Sequence, residues 1–106
     1  MRVKMCGMKT IAAARAAEEA GADYVGFIFA EKSRRYIAPE TAREIVRQLH
    51  RVQTVGVFVD APMDTVNEIA ELVGLDYVQL HGHETADMAL RASRPVIKAY
   101  RYGDDF

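Results

Sequence analysis

The sequence predicts a parallel α/β domain. Short β-branched runs alternate with helical segments along its length, and glycine or proline punctuates the junctions. Polar residues are concentrated where the strands end. Arg2–Cys6 (RVKMC) reads as a first strand, and the alanine-rich Ile11–Ala20 as a helix between an N-cap Thr10 and Gly21. Tyr24–Phe29 is a second strand. After the polar loop Glu31–Ile37, Pro39 sits in a first helical turn, where its missing N–H costs nothing, and Thr41–His50 continues the helix. Thr54–Val59 is a third strand, Met63–Val73 a helix closed by Gly74, and Tyr77–Leu80 a fourth strand. Thr85–Ala92 is a short helix and Pro95–Tyr100 a fifth strand; the tail Arg101–Phe106 has no pattern of its own. Two helix exits echo each other, AGADYVGF and VGLDYVQL, without a fixed repeat.

Composition narrows the functions open to such a domain. The 106 residues are 50% hydrophobic and 27% charged, which are globular values and enough for a single domain over 1–106. The net charge of −1, with both signs interspersed, argues against a nucleic-acid or polybasic membrane surface. Cys6 is the one cysteine, so no disulfide forms within the chain, and a thiol suits a reducing cytoplasm. MRVKMCGMKT lacks the apolar core of a signal peptide, and no run is long enough to span a bilayer. A soluble cytoplasmic protein is expected.

Topology imposes a constraint. With right-handed crossovers and strands in chain order, every helix lies on one face of the sheet and the other is bare. A doubly wound sheet avoids this by reversing strand order. A closed barrel turns the bare face into its interior, but five strands do not close an eight-stranded barrel. Either the order is rearranged or a second copy covers the open face.

In parallel βα folds the chemistry lies at the C-terminal strand ends. There the sequence places Cys6-Gly7, the loop Lys32-Ser33-Arg34-Arg35-Tyr36, Val59-Asp60, Gln79-Leu80-His81-Gly82 and Lys98. Lys4 and Cys6 share one face of their strand, and Gln79 and His81 one face of theirs. A strand buried on both sides would be nearly all apolar, so these interruptions point to a cavity. Each also has a plainer reading. A strand-end cysteine is commonly an inert buried residue. Arg34 and Arg35 suit a solvated loop, His81 a turn hydrogen bond, His83 solvent, and Lys98 a snorkelling edge. No metal-ligand spacing, Walker loop or dinucleotide fingerprint is present.

Five segments, taken together, resemble the phosphoribosylanthranilate isomerase family of tryptophan biosynthesis. They are VKMCG, AGADYVGFIFAEKSRRYIAPETAREIV, VGVFVDAP, VQLHGHE and PVIKAYR, in the family's order and spacing across essentially the whole chain. The resemblance implies a parallel (βα)4β5 portion of a TIM (βα)8 barrel, an open half-barrel completed by self-association. It implies an Amadori rearrangement of N-(5-phosphoribosyl)anthranilate to 1-(2-carboxyphenylamino)-1-deoxyribulose 5-phosphate, without cofactor or metal. By the same resemblance Cys6 is the general base, acting as a thiolate in positive surroundings. Arg35 pairs the anthranilate carboxylate through its planar fork, and Gln79 and His81 line the same mouth.

The family's general acid is an aspartate at the end of the sixth strand, and its phosphate seat follows the last two strands. Neither has a counterpart here, and Asp104 and Asp105 do not take the acid's place. The chain is therefore expected to be inactive alone, with a complementary C-terminal fragment as one partner. Two rival expectations stand beside this one: a homodimeric half-barrel assembled through its exposed sheet face, and a non-catalytic binder of the carboxylate.

Overall fold

The computed structural model describes residues 4–82 and 84–98. The strands are β1 (Lys4–Cys6), β2 (Tyr24–Ile28), β3 (Gln53–Phe58), β4 (Tyr77–Leu80) and β5 (Val96–Lys98). Between them lie α1 (Ile11–Glu19), α2 (Pro39–Val46), α3 (Met63–Val73) and α4 (Ala86–Leu90). The alternation predicted from sequence is present in full, with boundaries shifted by one to four residues at most ends. Arg2 and Val3 of the expected first strand, Ala99 and Tyr100 of the fifth, His83 and the tail lie outside the described residues.

All five strands are parallel and lie in the order β1-β2-β3-β4-β5, so the reordered, doubly wound alternative does not apply. The helices share one face. Ala14 and Ala17 of α1, Ala42 and Ile45 of α2, and Met63, Val66, Ala70 and Val73 of α3 form one core with Val25, Phe27, Phe58, Val78 and Leu80 of the strands. Alternation sends Lys4, Cys6, Tyr24, Gly26, Ile28, Val55, Val57, Tyr77, Gln79 and Ile97 to the opposite face.

That second face corrects an expectation. It is not a bare apolar surface: Ile28, Val55 and Val57 are at most 1% exposed. Curvature is the reason. Lys4 of β1 hydrogen-bonds Gln79 of β4, although three strand spacings span roughly 14 Å in a flat sheet. Tyr24 of β2 meets Tyr77 of β4 edge-to-face, with ring centroids 6.0 Å apart. The sheet is rolled towards a barrel, and long side chains reach across its concave side. The two tyrosines are the corresponding residues of the AGADY and VGLDY echo, so that echo marks a contact. Large apolar exposure among the described residues is instead scattered over Leu90, Ile11, Leu72 and Ile97.

Three helices are shorter than their sequence pattern predicts, α1 by a single residue and α2 and α4 by more. α2 ends at Val46 rather than His50: Gln48 N and Leu49 N tighten to Ile45 O and Val46 O, and the buried Glu18 carboxylate then takes the backbone N–H groups of His50, Arg51 and Val52 at 2.8, 2.6 and 3.2 Å. Those donors are unavailable to a helix. α4 starts after Thr85, whose hydroxyl caps it by accepting from Met88 N. It ends at Leu90, and the side chain of Asn67 then holds Arg91 O and Ser93 N at 2.9 and 2.8 Å.

Candidate active site at the C-terminal strand ends

Cys6 closes β1 opposite Gly26 of β2. A Cβ on Gly26 would lie 2.9 Å from the Cys6 Sγ, so glycine there makes room for the thiol. Cys6 is half-buried. The next residue, Gly7, has φ 83°, a left-handed conformation open to glycine at little cost. Its N–H and that of Met8 both donate to Gly26 O, at 3.0 and 3.2 Å, which fixes the exit from β1.

Arg35 arrives from the β2–α2 loop. That loop folds back on its own strand: Tyr36 bridges to Ile28, and Ile37 N donates to Ile28 O at 3.0 Å. The Ser33 hydroxyl accepts from Arg35 N at 3.1 Å. The side chain then runs over Gly7, where a Cβ would come within 2.5 Å of Arg35 Cδ and 3.4 Å of its Nε. The absence of a side chain at Gly7 thus lets the arginine stem lie on the backbone beside Cys6.

Gln79 lies on the same concave face, its amide oxygen held by Lys4 Nζ. His81 extends the fourth strand by one rung, its N–H donating to Phe58 O at 2.9 Å, and is 7% exposed. The four residues singled out in the sequence therefore sit at or beside the ends of β1, β2 and β4. Cys6 and Arg35 are brought together through Gly7, and Gln79 is tied back to β1; His81 is placed one residue further on, in the buried rim.

Sequence reasoning missed one device. The Glu84 carboxylate, 6% exposed, accepts from Asp60 N and Gly82 N, each at 2.7 Å. It ties the β3–α3 loop to the β4–α4 loop. Asp60 takes φ 52° to present its N–H, and Gly82 passes so close that a Cβ would lie 2.5 Å from Asp60 Oδ1. VQLHGHE and VDAP were both visible in the sequence, but nothing in either shows that a glutamate would join them.

A cavity of about 910 Å³ opens between the β2–α2 and β3–α3 loops. Arg35, Lys32, Tyr36, Asp60, Pro62 and Ile69 are among its lining, and the stacked Phe29 and Phe58, 5.3 Å apart, belong to it too. Arg35 links it to the thiol, whereas Cys6, Gln79 and His81 lie outside its lining. Among the described residues no group of three His, Cys, Asp or Glu side chains is placed to hold a metal ion. Nor is any described helix long and apolar enough to cross a membrane.

Known proteins share both the sequence and this fold. Residues 3–106 match the sequence model of N-(5'phosphoribosyl)anthranilate (PRA) isomerase. The N-(5'-phosphoribosyl)anthranilate isomerase of Geobacter sp. (strain M21) is 52% identical over 101 residues, which are 94% of this chain and 50% of that protein. The crystal structure of phosphoribosyl anthranilate isomerase from Thermus thermophilus superposes with a TM-score of 0.93 at 43% identity, covering 97% of this chain and 53% of that one. A phosphoribosyl anthranilate isomerase solved with reduced 1-(o-carboxyphenylamino)-1-deoxyribulose 5-phosphate gives a TM-score of 0.90 at 42% identity, covering 92% of this chain and 52% of that one. The chain spans about half the length of the curated relatives it matches. Over that half its strands, its loops and their order are those of a (βα)8 barrel enzyme, and the chain belongs to the N-(5'-phosphoribosyl)anthranilate isomerase family.

Proposed function

We propose that this chain supplies the base and carboxylate-recognition side of a phosphoribosylanthranilate isomerase active site. The observation that carries the reading is the packing of Arg35 over Gly7, next to Cys6. A thiol and an arginine stem that meet at Gly7 support this reading, in which they form the pair the isomerisation requires on this side of the substrate. Arg35 holds the anthranilate carboxylate in its planar fork. Gln79 and His81 line the mouth opposite β1.

The chemistry needs no redox partner. Protonation of the furanose oxygen lets the C1–O bond break towards oxygen, while the anthranilate nitrogen lone pair forms the C1=N imine. The Cys6 thiolate then takes the proton from the ribose C2. The C–H electron pair becomes the C1=C2 bond, the imine pair moves onto nitrogen, and the enolamine tautomerises to the ketone. The electron sink is the substrate's own imine, so the reaction calls for neither cofactor nor metal.

The acid and the phosphate seat, in this reading, come from further βα units that pair with the sheet edges at β1 and β5. As a single incomplete barrel domain in a reducing cytoplasm, the chain would work with a complementary C-terminal part. The test is isomerase turnover, followed as loss of substrate fluorescence, by the chain alone and mixed with the C-terminal half of the Geobacter sp. (strain M21) relative. Turnover only on mixing is expected. Turnover by the chain alone would overturn the assignment of the acid to other units, and no turnover in either case would overturn the split-site reading.

A second reading is favoured by one observation: in the last βα unit, Leu90 at the end of α4 is 83% exposed and Ile97 of β5 is also exposed. Two copies meeting there would form a homodimeric half-barrel assembly without catalysis. Sedimentation that finds only monomer at high concentration would remove it.

A further inference from the structure

The Lys4–Gln79 contact assigns a role to a residue outside the catalytic reading. A lysine ammonium has donors only, so the Gln79 atom that faces it must be the carbonyl oxygen. The amide is thereby oriented, with its oxygen committed to β1 and its NH2 group turned away. Both residues are partly buried and lie 75 positions apart in sequence, on strands separated by β2 and β3. A partly buried cation thus spans the concave face on the same side of β1 as Cys6.

We infer that Lys4 is a positioning residue that fixes the polarity of Gln79, leaving Nε2 as a donor for an acceptor oxygen of the substrate. The inference rests on the isomerase reading above and adds to it which end of the amide meets the ligand. It also places a positive charge on the face that receives a substrate bearing both a carboxylate and a phosphate.

The experiment uses the intact chain with its glutamines 15N-labelled. The Gln79 side-chain NH2 signal is identified by its loss in Gln79→Met and compared with that of the exposed Gln48. In Lys4→Met it should move towards the Gln48 position, and in Lys4→Arg, which keeps a donor, it should stay. Calorimetry with reduced 1-(o-carboxyphenylamino)-1-deoxyribulose 5-phosphate, on the chain mixed with the C-terminal half of the Geobacter sp. (strain M21) relative, is the second arm. Lys4→Met should weaken binding about 10-fold, the order expected for one charge-assisted hydrogen bond, with Lys4→Arg restoring most of it. Gln79→Glu, which replaces the donor by an acceptor, should bind more weakly still. An unmoved Gln79 signal in Lys4→Met, or undiminished affinity in Gln79→Glu, would overturn the assignment. If the unaltered mixed assembly does not bind the analogue, the isomerase reading of this chain falls, and the amide signal alone decides the role of Lys4.

Discussion

The two ends of the sheet use the same kinds of side chain for different purposes. At the N-terminal end, polar groups are spent on the backbone. Glu18 accepts three N–H groups, Arg51 Nη2 returns a bond of 2.8 Å to Glu18 O, and Asp76 Oδ2 holds both the N–H and the hydroxyl of Thr54. These contacts lock the helix exits to the next strand starts. At the C-terminal end, Cys6 is half-buried and Arg35 is exposed, resting on a glycine and beside a cavity. The difference follows the general division of parallel βα folds, stability below and chemistry above. Glu84 is the exception that sharpens it: a backbone-bound carboxylate at the upper end, whose effect is to hold two mouth loops in register.

Removing a lower-end carboxylate should therefore cost stability and leave the mouth intact. Glu18→Ala gives up three hydrogen bonds to a charged acceptor, and chemical denaturation should report a loss of about 3 kcal/mol. The reactivity of the Cys6 thiol should not change. The same residue sets a pH dependence. The Arg51 N–H foremost, with those of His50 and Val52, holds the Glu18 carboxyl below the ordinary 4.5, against burial, which pushes it up. Its folded value is thus the lower one, so its stabilisation is fully present above pH 4.5 and fades as pH falls through the folded value. Glu18→Gln should flatten that acid limb in thermal melts taken between neutral and low pH.

Glu84→Gln should cost about 2 kcal/mol, since an amide cannot accept from both N–H groups without turning its own donor towards one of them. Unlike the Glu18 variants, it should speed amide exchange at Asp60 and Gly82. A smaller global effect is expected of Gly7→Ala, about 1 kcal/mol for a non-glycine residue held at positive φ. Its local effect should be larger: the new methyl displaces the Arg35 stem and should weaken binding of the carboxylate-bearing analogue, read by calorimetry. Smallest of all is Arg47→Ala. Its pair with Glu44, 3.4 Å apart and largely exposed, should be worth less than about 0.5 kcal/mol in the same denaturation assay.

Much of this was legible in the residues. β-branched runs, Pro39, Thr10 and the helix-closing glycines gave the element order, because those signals are local. Strand order could be narrowed to two possibilities by handedness, and only the packed sheet chose between them. The sequence pattern misjudged the concave face, since periodicity says which residues share a face but not how far the sheet curls. It also extended α2 to His50, because the competing partner, Glu18, lies more than thirty residues earlier. Cys6, Gln79 and His81 stood out as polar breaks at strand ends, and Arg35 through the family resemblance of SRRY. Glu84 did not, for its role depends on where a different loop passes.

Under the proposed function the upper end moves the proton at ribose C2 through Cys6, and Cys6→Ser in the mixed, turnover-competent assembly probes that step. The isomerase rate should fall by about 10²–10⁴-fold, with the melting temperature and the affinity for the reduced product analogue unchanged. Turnover at the unaltered rate would contradict it and place the base elsewhere.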